Sequence, residues 1–442
     1  MNLHKDFFRF VIPSMLAFAL SGVYAIADGF FVGNALGDNA LAAINIAYPL
    51  TAFLQAVGTG LGMGGAVEYA ISSGTGDHHR SRQYFGMTLI LLLLSGIFLT
   101  ILYLPAAPFV LHFFGAQGNI QILAKEYILY ITFGAVFQIL GTGIVPFIRN
   151  MGGSIAAMFA MVAGFFTNIL LDYLFVWKLP MGMMGAAVAT VIGQAVTFLV
   201  CLIFLLYKKE APIFTFGGHG AGLLKNIFQV GLSPFGLTFS PNITLILVNK
   251  SAALTGGTLA VTSYAPVSYI SCVVLLLLQG VSDGCQPLLS RSFGEGNMKN
   301  AVKYRNMAYR FSFLVAVGSF LLLYALRGKA AVLFGASNTI AENVSKMLPI
   351  FLFGYLFVSI SRVTTAYFYA TCKNTWAYIL IYGEVIFLFL LLLILPKLEG
   401  VYGTWISVPI SQIFAMGLSL FFIWRGRNQR ETKEVYSYIE SE

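Results

Sequence analysis

The sequence predicts an all-α integral membrane protein of twelve transmembrane helices, arranged as two six-helix bundles related by a pseudo-two-fold axis along the membrane normal. Three observations carry that expectation. The 442 residues are 58% hydrophobic and only 10% charged, with a mean hydropathy of +0.82, far from the balance of a soluble domain. The apolar windows are each about 20 residues or more, the length that crosses ~30 Å of hydrocarbon. The two halves also match one another at a nearly constant shift in numbering, which marks an internal repeat.

The first window, 7–32, runs on without a small-residue cleavage pattern, so it reads as a span and the amino terminus is expected to stay on the mature protein. Further windows fall at 44–72, 85–113, 121–148, 155–178, 184–207, 226–250, 260–292, 306–334, 341–370, 375–397 and 402–424. Several exceed a perpendicular crossing, which allows tilt or kinks. Pro13 in the first window and Pro234 in the seventh each remove a backbone hydrogen bond near an inner end. Both bend a helix, as a static kink or as a hinge.

Orientation follows from lysine and arginine. With the amino terminus inside, 18 of the 26 fall in cytoplasmic segments, seven outside, and Arg362 lies within a helix. Both termini are therefore expected in the cytoplasm of a multi-pass plasma-membrane protein. The net charge of +9 is thereby used up as a topology signal and leaves nothing for a nucleic-acid partner. The domain reading is residues 1–212 as the amino-terminal bundle, 213–424 as the carboxy-terminal bundle and 425–442 as a polar cytoplasmic tail. Cys201, Cys272, Cys285 and Cys372 lie in or beside apolar runs with no CxxC pair, and read as small buried hydrophobes rather than disulfides or metal ligands.

A shift of 220 places Gly74-Thr75-Gly76 over Gly294-Glu295-Gly296, Tyr84 over Tyr304, Phe114-Gly115-Ala116 over Phe334-Gly335-Ala336 and Phe133-Gly134 over Phe353-Gly354. A shift of 218 places Gly182, Gly185 and Gln194 over Gly400, Gly403 and Gln412. Six helices per half make the repeat parallel, and two such bundles enclose a central cavity in secondary transporters. The departures from the repeat point to function. Asp28 and Asp172 have Val248 and Leu392 as counterparts.

A charge inside hydrocarbon costs on the order of 3 kcal/mol or more, so each intramembrane polar group needs an account. By the ~1.5 Å rise per residue, Asp28, Asp172 and Thr190 all lie near ~10 Å below the outer surface. Asn168 precedes Asp172 by one turn and Tyr24 precedes Asp28 by one turn, so each shares its neighbour's face. Burial beside a second carboxylate favours the protonated form, which suits a proton carrier. The same oxygens equally make a hard ligand set for Na⁺. Arg362 and Glu384 lie at matching depths on adjacent antiparallel helices and read as a buried ion pair, with substrate contact as the other reading. Glu68 and Asp283, nearer cytoplasmic ends, are secondary candidates.

Taken in order, Ala27-Asp28-Gly29-Phe30-Phe31-Val32-Gly33-Asn34-Ala35-Leu36-Gly37, then Asn168-Ile169-Leu170-Leu171-Asp172, then Gly182 and Gly185-Ala186-Ala187-Val188-Ala189-Thr190 resemble the multidrug and toxic compound extrusion family. The chain looks most similar to its DNA-damage-inducible protein F and archaeal branch. The resemblance implies an exporter of organic, often cationic and amphipathic compounds driven by H⁺ or Na⁺. It also implies an ion site at Asp28, Asn168, Asp172 and Thr190 and a bend at Pro13. A second-half ion site of the kind another branch uses is not expected, because helix seven lacks an acid and helix ten carries Arg362.

The expectation is thus a secondary antiporter with small organic substrates, a lipid environment, an adaptable aromatic and Met-rich substrate surface, and a monomeric state. No cofactor beyond the coupling ion is expected. A lipid-linked oligosaccharide flippase of the same superfamily is the alternative, and it should show several deep cationic residues for its phosphates. Only Arg362 lies deep. A membrane enzyme or scaffold is the remaining alternative, but no nucleophile, base and metal constellation supports catalysis.

Overall fold

Transmembrane segments form helices because hydrocarbon offers no partner for a backbone N–H or C=O, and the described apolar segments of this chain are helical. The computed structural model describes residues 2–215, 218–330 and 338–428, and among them there is no strand. The helices are α1 (Leu3–Leu36), α2 (Asp38–Gly74), α3 (His78–Phe113), α4 (Gly118–Phe133), α5 (Ala135–Asn150), α6 (Ser154–Asp172) and α7 (Gly182–Lys208). They continue with α8 (Gly218–Gly294), α9 (Met298–Ala330), α10 (Asn338–Ala370) and α11 (Asn374–Asn428). A π-helical turn, Tyr173–Lys178, extends α6.

At 77 and 55 residues, α8 and α11 are too long for one crossing, and each is broken by non-helical backbone, at Gly257 (φ 62°) and Gly400 (φ 57°). Conversely, α4 and α5 together make one span bent by 59°. Counting α8 and α11 twice and the bent pair once gives twelve crossings among the described residues. The tail at 429–442 and the repeat match at Phe334-Gly335-Ala336 lie outside the described residues.

Positive φ angles show the repeat in the backbone itself. Gly37 and Gly257, Gly76 and Gly296, Gly152 and Cys372 are pairs 220 apart, and Gly182 and Gly400 are 218 apart. Each marks the junction between two spans, and left-handed backbone is most easily adopted by glycine. After Gly76, Asp77 Oδ1 accepts from the amide of Arg80 at 2.9 Å; after Gly296, Asn297 Oδ1 accepts from that of Asn300 at 3.1 Å. The same cap therefore starts α3 and α9.

The chain divides into two compact units, one of Leu20–Phe239 and the other of Met1–Ala19 with Ser240–Glu442. Compared with a division at residue 212, the first half of α1 belongs with the later helices and residues 218–239 of α8 with the earlier ones. A pair of glycines receives each of these segments. In the first unit, a Cβ on Gly60 or Gly64 would press on α8 at Phe235 Cβ (2.8 Å) and Gly231 N (2.9 Å), respectively. In the second, a Cβ on Gly280 or Gly284 would press on α1 at Met15 Cα (2.6 Å) and Val11 Cα (2.8 Å), respectively. Both pairs are spaced as GxxxG, the pattern that lets helix backbones approach closely in a bilayer, and they are 220 residues apart. Pro13 lies inside a continuous α1, in the segment that Gly284 receives.

The cysteines are free. Cys201 and Cys285 are buried as the sequence suggests, whereas Cys272 is exposed. An apolar window does not say which face of its helix looks outward.

Candidate functional site

The Leu20–Phe239 unit gathers a polar cluster from four helices. Asp28 lies eight residues before the end of α1 and Thr190 eight residues after the start of α7, so the antiparallel helices bring them to one level. Asp172 is the last α-helical residue of α6, and the wider π turn begins directly after it. Such π segments recur where a functional site needs a local change of register.

Aromatic contacts hold α1 against α6 on either side of the acids. The Phe31 ring meets those of Tyr173 and Trp177 at 6.5 and 5.4 Å, and Phe30 meets Trp177 at 6.3 Å. One turn below Asp28, Tyr24 stacks on Phe165 at 5.1 Å with the rings 10° from parallel. With α1 clasped above and below, the two carboxyl groups face each other at hydrogen-bonding distance. Asp172 is fully buried and Asn168 nearly so.

Asn168 Nδ2 donates to Thr190 Oγ1 at 3.3 Å, and Thr190 Oγ1 donates to the Ala186 carbonyl at 3.1 Å. The side chains of Tyr24 and Tyr127 lie beside Thr190 and the two acids. Both oxygens of Asp172, Oδ1 of Asp28 and Oδ1 of Asn168 are buried and receive no donor. Four such acceptors in one place carry a desolvation cost of about 1–3 kcal/mol each, more where charged. A proton between the two carboxyl groups relieves part of that cost, since two carboxyls form a hydrogen bond only when one is protonated. A small cation bound by the four oxygens relieves it as well.

Asp28, Asn168, Asp172, Thr190 and Tyr24 are therefore brought together. Tyr127 of α4 was not among the expected residues. Nothing in its local sequence separates it from the other 21 tyrosines; it joins the cluster through the bend of α4 against α5. A Cβ on Gly134 at that bend would run into the Val191 side chain of α7, so the glycine permits the approach.

The remaining candidates lie elsewhere. Glu68 is 30 residues along α2 from Asp38, about 45 Å up the helix, and acts on Tyr84, whose hydroxyl accepts from Asn226 Nδ2 at 2.8 Å. Asp283, Arg362 and Glu384 form a separate network in the other unit. There Gln279 Nε2 donates to Asp283 Oδ1 at 2.6 Å while its Oε1 accepts from Arg362 at 3.2 Å. Glu384 and Asp283 both act electrostatically on Arg362. The counterparts of the acidic pair are hydrophobic core: Val248 is fully buried and Leu392 packs against the same cluster as Tyr264, Phe351 and Trp405.

A protein-family model described as MatE matches residues 13–174 and 235–394. The two matches begin 222 residues apart (235 − 13) and end 220 apart (394 − 174), the spacing of the repeat. The multidrug export protein MepA of Staphylococcus haemolyticus is 25% identical over 446 residues, spanning 100% of this chain and 97% of that protein. A structure described as an outward-facing multidrug resistance MATE family transporter of the MOP superfamily aligns with a TM-score of 0.89 at 25% identity, covering 98% of this chain and 97% of its own. A MOP superfamily transporter from Pyrococcus furiosus, described as having a binding pocket of reverse polarity, shares the fold with a TM-score of 0.88 at 24% identity, over 99% and 97%. With more than half the chain matched in two tandem copies, this protein belongs to the multidrug and toxic compound extrusion (MatE) family of membrane transporters.

Proposed function

We propose that the protein is a secondary antiporter that exports organic, cationic or amphipathic compounds in exchange for H⁺ or Na⁺, with Asp28, Asn168, Asp172 and Thr190 as the ion-coupling residues. The observation that carries this reading is the set of four buried oxygens without donors on Asp28, Asn168 and Asp172. Groups so placed are stable only with a positive ion or proton among them. The name multidrug export protein borne by the relative from Staphylococcus haemolyticus agrees with such a cargo.

An ion drives transport only by binding one conformation better than another. The aromatic clasp makes that difference available, because any movement of α1 relative to α6 separates the two carboxyl groups and removes the shared site. The proposed orientation has both termini in the cytoplasm, so the end where α1 finishes and α7 begins faces outside and the ion arrives down its gradient. The lysine and arginine distribution supports this placement.

The test is efflux of a fluorescent organic cation from proteoliposomes under separately imposed pH and Na⁺ gradients. Asp28→Asn and Asp172→Asn are each expected to lower gradient-driven efflux at least tenfold while the protein remains folded. Efflux driven by neither gradient in the wild type rejects antiport. Undiminished coupling in both variants rejects the site.

A further inference from the structure

An open cavity of about 510 Å³ lies at the end of the Leu20–Phe239 unit, lined among others by Leu36, Asn39, Asn119, Leu123, Glu126 and Met183. Its position relative to the acidic pair follows from helical register. Leu36 is two turns beyond Asp28 on α1, Leu123 is one turn before Tyr127 on α4, and Met183 is two turns before Thr190 on α7. Residues spaced by four, seven or eight lie along one face, so three of the helices that build the cluster also build the cavity, one or two turns further along. What separates the two is thin. Val32, midway between Asp28 and Leu36, and Ala186, midway between Thr190 and Met183, are both fully buried.

The lining suits a hydrated cation better than an organic molecule. Among the described residues of the lining, Glu126 is the one charged side chain, and Asn39 and Asn119 add amide groups. At ~30 Å³ per water, the space accommodates an ion with its hydration shell. A carboxylate in a cleft with low-dielectric walls raises the local cation concentration and the rate of arrival. Lys125, adjacent in sequence, is exposed and is not part of the lining.

We propose that this cavity is the aqueous vestibule through which the coupling cation reaches Asp28 and Asp172, with the Glu126 carboxylate collecting it and the Val32–Ala186 layer separating it from the site. The proposal rests on the ion-coupling reading above. It gives Glu126 a role in ion access and none in holding the ion at the acidic pair.

Three arms test it in proteoliposomes, each under a pH gradient and under a Na⁺ gradient to distinguish the two ions. Glu126→Gln is expected to raise the driving-ion concentration for half-maximal efflux about three- to tenfold with the maximal rate preserved, and Glu126→Asp to restore the wild-type value. Asn119→Cys, treated from outside with a cationic methanethiosulfonate reagent, should show slowed ion-driven efflux. An anionic reagent of similar size should not slow it, and the contrast should shrink at high salt as screening sets in. An unchanged ion dependence in Glu126→Gln, or equal effects of both reagents, overturns the vestibule. Should Glu126→Gln fail to fold, the Asn119→Cys comparison decides alone. Asp172→Asn run in parallel separates the two readings: loss of coupling there with a normal Glu126→Gln rejects only the vestibule, whereas normal coupling there rejects the ion site itself.

Discussion

Thr190 is the hub through which the cluster is held, since one hydroxyl accepts from Asn168 and donates to the Ala186 carbonyl. Thr190→Val preserves shape and removes both bonds. At about 1 kcal/mol per hydrogen bond, the ion concentration for half-maximal efflux should shift about fivefold or more, with a smaller shift for Tyr127→Phe. Asp28 and Asp172 were legible in the sequence because a carboxylate in an apolar run is costly enough to need a reason. Tyr127 was not, because a tyrosine in such a run needs none. The Arg362 network gives a contrasting expectation. Removing one member of a buried charge set typically costs ~3–5 kcal/mol, because the remaining charge loses its partner. Arg362→Leu should therefore lower the unfolding temperature in detergent markedly, and adding Glu384→Gln should recover part of the loss by removing a stranded acid. Equal melting of the single and double variants would count against the pairing of Arg362 with Glu384.

At the scale of the element, the breaks are as informative as the helices. Windows of apolar residues located all twelve spans, yet the fourth is bent by 59° at Gly134, where no proline announces a kink. At that bend α4 and α7 approach so closely that a Cβ on Gly134 would run into the Val191 side chain, and glycine permits the approach. The paired glycines at 60/64 and 280/284 carry a prediction of the same kind. Gly60→Val and Gly280→Val overpack equivalent contacts and should each destabilise by about 1–3 kcal/mol, read as similar drops in thermal unfolding midpoint. A loss confined to one of the two would mean that the equivalent contacts differ in strength.

For the whole molecule, two tandem copies of one six-helix plan are written into the chain, and the second copy lacks the acids of the first. That asymmetry predicts where coupling resides. Introducing carboxylates by Val248→Asp or Leu392→Asp places a charge in the core formed with Tyr264, Phe351 and Trp405, and should cost folding yield without creating a second coupled ion. A topology measurement belongs at this scale too. A reporter fused after Asn428 should read as cytoplasmic, and Asn119→Cys should label from the outside; the reverse pattern would invert the proposed path of the ion.

The sequence by itself determined the class of the protein, the number of crossings, the repeat and the intramembrane carboxylates, because each depends on composition, length or spacing along one chain. Only the tertiary structure decided which polar atoms lack donors, that Tyr127 joins them, and that the opening segments of α1 and α8 pack with the opposite sets of helices. Those outcomes depend on close approach between segments distant in sequence, and local periodicity records a helix's faces but not the neighbour each face meets.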